Sequence, residues 1–184
     1  MSERNRSLTT RCAEFIFLRL RPLTRWLYRM QGTGLPRIAE LVRKAVARYS
    51  LKTGCAREIW IYDFCDHAAF CCDLSEHMGG QIFFRGSYSE GQLPLLAELL
   101  PTDGVFVDVR ANHGEFSICA ASFMPKGVVY SYEPMEGNII KLRNNIKRNG
   151  FDSIKLYEFG LSDANKENVP IYTREPLKNA LTLA

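Results

Sequence analysis

Two carboxylates raise the question of chemistry in this sequence. Asp108 lies near the end of the apolar run Val105-Phe106-Val107-Asp108-Val109. Glu133, 25 residues after Asp108, follows a second such run, Val128-Val129-Tyr130-Ser131-Tyr132. Between them, Ala111-Asn112-His113-Gly114 is a turn of small residues leading into a helix that starts at Glu115. A strand closed by an acid, a small-residue turn and a helix N-terminus form a place where backbone can approach a ligand. Free N–H groups at the helix start favour the ligand's polar parts. An acid after the next strand, at this spacing, can accept hydrogen bonds from both hydroxyls of a ribose. The plainer readings are a helix-capping acid for Asp108 and a solvated strand end for Glu133. Their joint occurrence with the turn favours a nucleotide-type site. His113 could meet a substrate, although exposure in the turn is the simpler expectation, and Asn138 and Asn145 read as helix-surface residues.

The elements that must position these residues alternate. Helix is expected from Glu115 to Met124, broken by Pro125-Lys126-Gly127, and from Met135 to Asn149, stopped by Gly150. Ile154-Lys155-Leu156-Tyr157-Glu158-Phe159 reads as a third strand. Strand–helix–strand–helix–strand with short links implies a parallel sheet. Upstream, Glu58 to Phe64 reads as a strand, Gly79-Gly80 as a turn and Gln81 to Arg85 as another strand. Ser89 and Gln92 have capping-box spacing before a helix that carries Leu93, Leu96, Leu99 and Leu100 and ends at Pro101.

The run Phe106-Val107-Asp108-Val109-Arg110-Ala111-Asn112-His113-Gly114-Glu115-Phe116-Ser117 resembles the D-V-G-A-N-x-G signature of FkbM-type methyltransferases. Tyr132-Glu133-Pro134 is similar to that family's F/Y-E-P. Leu142 to Gly150 is similar to its L-x-x-N-x-x-x-N-G helix, and Gly160-Leu161-Ser162-Asp163 to its A-L-S-D turn. Phe84-Arg85-Gly86-Ser87-Tyr88 resembles the segment before the family's cofactor domain, so the likeness spans about residues 73–173 with its motifs in order. The resemblance implies S-adenosyl-L-methionine as cofactor and a hydroxyl of a sugar, glycan or natural product as methyl acceptor. It implies that Asp108, Ala111, Asn112 and Gly114 line the methionine part, that Glu133 holds the ribose and that Ser162 and Asp163 border the adenine. It names no catalytic residue. The turn lacks G-x-G-x-x-G, which sets a nicotinamide-dependent oxidoreductase behind it.

Two features depart from the family. Arg110 stands where the first turn glycine is found, in a position expected to need a backbone conformation that side chains resist. Eighty residues follow Gly104, whereas seven strands with six helices need on the order of 170. The expected fold class is therefore α/β: a partial Rossmann-like class I methyltransferase sheet, the first half of a doubly wound parallel sheet, with N-terminal helices. The expected organisation is a basic helical arm over 1–57, strands and a helix over 58–103 and the half-domain over 104–184. Activity is expected to be impaired by Arg110 and by the missing second half. The competing class is a non-catalytic remnant or a binding module acting through the arm. Strand 105–109, apolar on both faces, is expected to be left with an exposed edge through which the chain self-associates.

Charge separates the arm from the rest. Residues 1–57 hold 13 Lys and Arg against 3 Asp and Glu, a net of +10, in a chain whose overall net charge is +4. Helical spacing places Ile16, Leu20, Leu23, Leu27 and Met30 on one face and Arg21, Arg25 and Arg29 opposite, with Pro22 expected to kink or restart the helix. A second amphipathic stretch presents Ile38, Leu41, Val42, Ala45 and Tyr49. Peripheral contact with an anionic membrane through residues 11–49 is one reading. The plainer one, which we prefer from sequence, packs both stripes onto the body or onto another subunit. No nucleic acid is expected, because no interleaved aromatic and basic motif is present. No apolar run reaches the roughly 18 residues of a spanning helix, and no cleavage site follows a clean apolar block. The expected location is cytoplasmic, at most peripheral to a membrane. The six cysteines lack paired spacing, so free thiols and no metal site are expected.

Overall fold

The computed structural model describes residues 8–163 apart from 31, 32 and 56. The extended piece expected at 168–172 lies outside the described residues. The chain divides into two compact units, Met1–Leu96 and Ala97–Ala184.

The first unit contains helices α1 (Leu8–Arg29), α2 (Leu35–Thr53) and α3 (His77–Arg85), and strands β1 (Ile59–Phe64) and β2 (Ala68–Cys72), paired antiparallel. Helix α4 (Gln92–Leu99) carries the chain across the boundary between the units. Helices α1 and α2 form an antiparallel hairpin, since Phe17 meets Tyr49 edge-on and Tyr28 Oη donates to Glu40 Oε2 at 2.9 Å. Arg43 grips the same carboxylate through Nε and Nη2 and holds Glu40 down to about 2. Burial, with Glu40 alongside, pushes Tyr28 up to about 12.

Three expectations are corrected in this unit. The stripe Ile16, Leu23 and Met30 faces outward, and α1 instead packs through Ala13, Phe17, Thr24 and Tyr28. The reason is electrostatic. Arg21 Nη1 donates to Asp63 Oδ2 at 2.8 Å, Arg21 Nε donates to the Phe83 carbonyl at 2.8 Å, and Arg25 Nη1 reaches the same Asp63 oxygen at 2.7 Å. Charge-assisted, forked pairs of this type fix the helix azimuth more firmly than an apolar stripe with no matching groove. Burial opposes ionisation of Asp63, yet the two arginines hold it below the usual carboxylate range. Pro22 neither splits nor restarts α1, which runs through it.

The expected turn at Gly79-Gly80 and strand at 81–85 are replaced by α3. A Cβ on Gly79 would collide with the Asp73 backbone carbonyl, so this glycine serves close packing instead of a turn. Ile82, Phe83 and Phe84 are all buried, as suits a helix enclosed on several sides. Strand β2 was not foreseen. It follows a tight turn in which Cys65 and Asp66 both take positive φ, the backbone that matches strand twist in short hairpins. Cys12, Cys55, Cys71 and Cys72 are free thiols, as expected for these four.

The second unit has the expected α/β architecture. Strands β3 (Val105–Val109), β4 (Val128–Tyr132) and β5 (Ile154–Tyr157) form a parallel sheet in the order β3-β4-β5, linked by α5 (Glu115–Phe123) and α6 (Glu136–Asn149). Three parallel strands joined by helices form a sheet of Rossmann-like type. Helix α5 packs on β3 and β4 over buried Val129 and Ser131. On the other face, Val105, Val107 and Val109 are 66%, 52% and 52% exposed. The outer edge of β3 has no strand partner among the described residues.

Candidate functional site

The two carboxylates and the turn between them come together at the C-terminal ends of β3 and β4, where parallel sheets bind ligands. Arg110, Asn112 and Gly114 have φ of +64°, +51° and +91°, so alternate residues of the turn are left-handed. Glu133 holds that shape. Its Oε2 accepts the Asn112 backbone N–H at 2.8 Å, while its Oε1 accepts the Met135 N–H at 3.0 Å and Asn138 Nδ2–H at 3.2 Å. Ala111 is anchored from the other side, its N–H donating to the Tyr132 carbonyl at 3.0 Å.

Asp108 is buried beneath the start of α5. Ser117 Oγ donates to Asp108 Oδ2 at 2.5 Å and lies 2.7 Å from Ser131 Oγ. A hydroxyl has one hydrogen, so Ser131 must be the donor in the second bond. Burial raises the Asp108 pKa, Ser117 opposes that shift, and the nearby negative charge of Glu133 adds to it. The carboxylate thus meets the third residue of α5, where the helix dipole favours negative charge. Gly114 ends the turn with its α-carbon against Leu142 of α6, and an added Cβ would collide with Leu142 Cδ1.

Three histidine and asparagine expectations are corrected. His113 is buried, and desolvation, helped by the charge of Lys141, pushes it down to about 3, so the ring is neutral near pH 7. Asn138 and Asn145 are buried as well: one binds Glu133, and the other donates from Nδ2 to the His113 carbonyl at 2.9 Å. Their signal in the sequence was position, each lying on the same side of α6 as Leu142, with asparagine chosen where a turn presents backbone oxygen or carboxylate. Ser117 and Ser131 were missed because single serines in apolar runs carry no pattern. Ser162 and Asp163 are exposed and stand outside this buried cluster, with Ser162 Oγ donating to Asp163 Oδ1 at 3.0 Å. Among the described residues, no group of three or more His, Cys, Asp or Glu could hold a metal ion.

Glu133 can do less than its spacing promised. A carboxylate offers about four acceptor positions, two on each oxygen. Met135 and Asn138 fill Oε1, leaving one position on Oε2 beside Asn112, enough for one ribose hydroxyl instead of two.

No protein-family model matches the chain. It is 33% identical over 98 residues to the AMB antimetabolite synthetase AmbE of Pseudomonas aeruginosa, a match that covers 53% of this chain and 4% of AmbE. Among solved structures it is similar to M. jannaschii TYW2 in complex with AdoMet, at 21% identity and a TM-score of 0.46, covering 56% of this chain and 43% of that one. It is also similar to aTrm5 in complex with tRNALeu, at 17% identity and a TM-score of 0.37, covering 64% of this chain and 40% of that one. The chain therefore spans less than half the length of each of these proteins.

Proposed function

We propose that the second unit is the cofactor-binding half of an S-adenosyl-L-methionine-dependent methyltransferase of FkbM type, acting on a hydroxyl of a small molecule or glycan. The observation that carries this reading is the left-handed turn 110–114, pinned by Glu133 at the ends of two adjacent parallel strands. The cofactor supplies a methyl on a positively charged sulfur, which an acceptor oxygen displaces in line. The chain's own residues position it. Ala111, Asn112 and Gly114 would present backbone to the methionine part, Glu133 would accept one ribose hydroxyl, and Ser162 and Asp163 would border the adenine. Asp108 acts indirectly, by fixing the first turn of α5.

Arg110 bears on this reading in a way the sequence did not separate. The turn places Arg110 at φ +64°, so its backbone strain is a cost of folding, and the loss of affinity is assigned to the side chain. A left-handed arginine costs about 1–2 kcal/mol, partly offset by the extra unfolded-state entropy of glycine. Arg110→Gly should therefore stabilise the unit by about 0.5–1 kcal/mol in urea unfolding. In calorimetric titration with S-adenosyl-L-methionine we expect the unaltered chain to bind more weakly than micromolar and Arg110→Gly to bind about tenfold tighter. Micromolar binding by the unaltered chain would remove the obstruction assigned to Arg110. Absence of binding by both chains would count against the cofactor reading.

The bare edge of β3 supports self-association as part of the same proposal. A valine-rich parallel strand with an open edge recruits other chains, because its outer N–H and C=O groups have no strand partner among the described residues. Light scattering should show growth in mass with concentration, and Val107→Lys should suppress it. A concentration-independent monomer would contradict this expectation.

A further inference from the structure

The outward faces of α1 and α2 join large apolar side chains to a single sign of charge. On α1, Phe15, Ile16, Leu23 and Trp26 are each more than half exposed, and on α2 Ile38 and Leu41 are equally open. Ordinary amphipathic helices turn such residues inward, but here the inward face is already taken by the Arg21–Asp63 and Arg43–Glu40 contacts. A groove lined by Cys12, Ala13, Ile16, Phe17 and Tyr49 lies between the helices and adjoins the exposed face of α1 at Ile16.

Charge decides what kind of surface would cover them. Every exposed charged side chain on these two helices is basic: Arg11, Arg19 and Arg29 on α1, and Arg37, Lys44, Arg48 and Lys52 on α2. The helices' two acids, Glu14 and Glu40, are half-buried. Arg19 lies over the ring of Phe15, its guanidinium 5.1 Å from the centroid, so one side chain offers apolar stem and cation together. No helix among the described residues is long and apolar enough to cross a membrane.

We propose that the α1–α2 hairpin docks flat on an anionic lipid surface. Trp26, Phe15, Ile16 and Leu23 enter the boundary between headgroups and acyl chains. The arginines and lysines stay at headgroup level, where long basic side chains keep their stems in apolar surroundings and their charges in water. Phosphates of a nucleic acid would satisfy the charges yet leave the aliphatic side chains in water, and a second copy of the hairpin would oppose like charges. An anionic lipid surface meets both requirements. This proposal does not depend on the methyltransferase reading.

The test uses the full chain with Trp60→Phe, so that Trp26 is the sole tryptophan, and vesicles of phosphatidylcholine alone or mixed with phosphatidylglycerol. We expect co-sedimentation and a blue shift of Trp26 emission only with the anionic vesicles, weakening at least tenfold at high salt as the charges are screened. Ile16→Asn with Leu23→Asn should remove most of the binding with the helical signal in circular dichroism unchanged, since both side chains already face water. Arg19→Gln with Arg29→Gln should weaken it while leaving the residual binding less sensitive to salt. Indifference to anionic vesicles at low salt would overturn the proposal. So would equal binding to neutral vesicles, salt-sensitive binding to an RNA or DNA oligonucleotide with vesicles ignored, or dimerisation abolished by Ile16→Asn with Leu23→Asn.

Discussion

Glu133→Gln will destabilise the parallel-sheet unit by about 3–4 kcal/mol, although it changes one atom and removes no volume. Three N–H groups converge on this carboxylate: those of Asn112 and Met135 from the backbone and that of Asn138 from its side chain. Hydrogen bonds to a charged acceptor contribute about 1.5–3 kcal/mol each, and a buried donor left unmet costs about 1–3 kcal/mol. Glutamine has one carbonyl oxygen. Aimed at Met135 and Asn138, it turns its NH2 towards the Asn112 N–H, so donor faces donor. The loss of charge also relieves Asp108, whose pKa Glu133 helps to raise, and this returns a small part of the cost. Urea unfolding gives the free energy, and amide exchange locates it: the Asn112 amide should lose protection before the strands do. Unchanged stability together with a protected Asn112 amide would show that the turn holds itself without Glu133.

Gly114→Ala should lower stability by about 2–4 kcal/mol, while Gly137→Ala should be neutral or stabilising by about 0.5–1 kcal/mol. The same methyl group meets opposite surroundings. At Gly114 the backbone is left-handed, with φ +91°, and the methyl would run into Leu142, a side chain with no exposed surface. Left-handed strain of about 1–2 kcal/mol therefore adds to overpacking of about 1–3 kcal/mol, less a little unfolded-state entropy. At Gly137, in the first turn of α6, no atom lies within 4 Å of the added carbon, and helix propensity favours alanine. Paired denaturation curves decide the matter. Equal effects at the two positions would mean that Leu142 moves aside freely and that the turn tolerates a side chain.

The parallel-sheet unit was largely legible in the sequence because local signals agreed there. Val105 to Val109 and Val128 to Tyr132 are apolar and β-branched, Pro125-Lys126-Gly127 and Gly150 stop the helices, and the element boundaries fall within a residue or two of the structure. The need for a glycine-like backbone at Arg110 was also legible, and its φ of +64° bears that out. What pattern could not give was partnership at a distance. Arg21 and Arg25 face inward because Asp63, about forty positions away, supplies their counter-charge. Gly79-Gly80 mimics a turn because glycine serves bends and close approaches alike, and only the nearby Asp73 carbonyl distinguishes them. Asn138 and Asn145 read as surface because buried asparagines differ from exposed ones only by what lies opposite, here Glu133 and the His113 carbonyl.

The order β3-β4-β5 follows the chain, with Val105 beside Val128 and Val129 beside Ile154. Each of these strands thus finds a neighbour after one helical crossover, and neither of the two pairings waits for a distant segment. The entropy lost in closing such loops grows only slowly with their length, and local pairings of this type favour rapid folding. During synthesis, β3 and β4 could associate as soon as α5 and β4 have emerged, with α6 and β5 adding in turn. The Glu133 clasp on the Asn112 amide would then close early, since both partners belong to the first strand pair. The turn would be shaped before β5 exists.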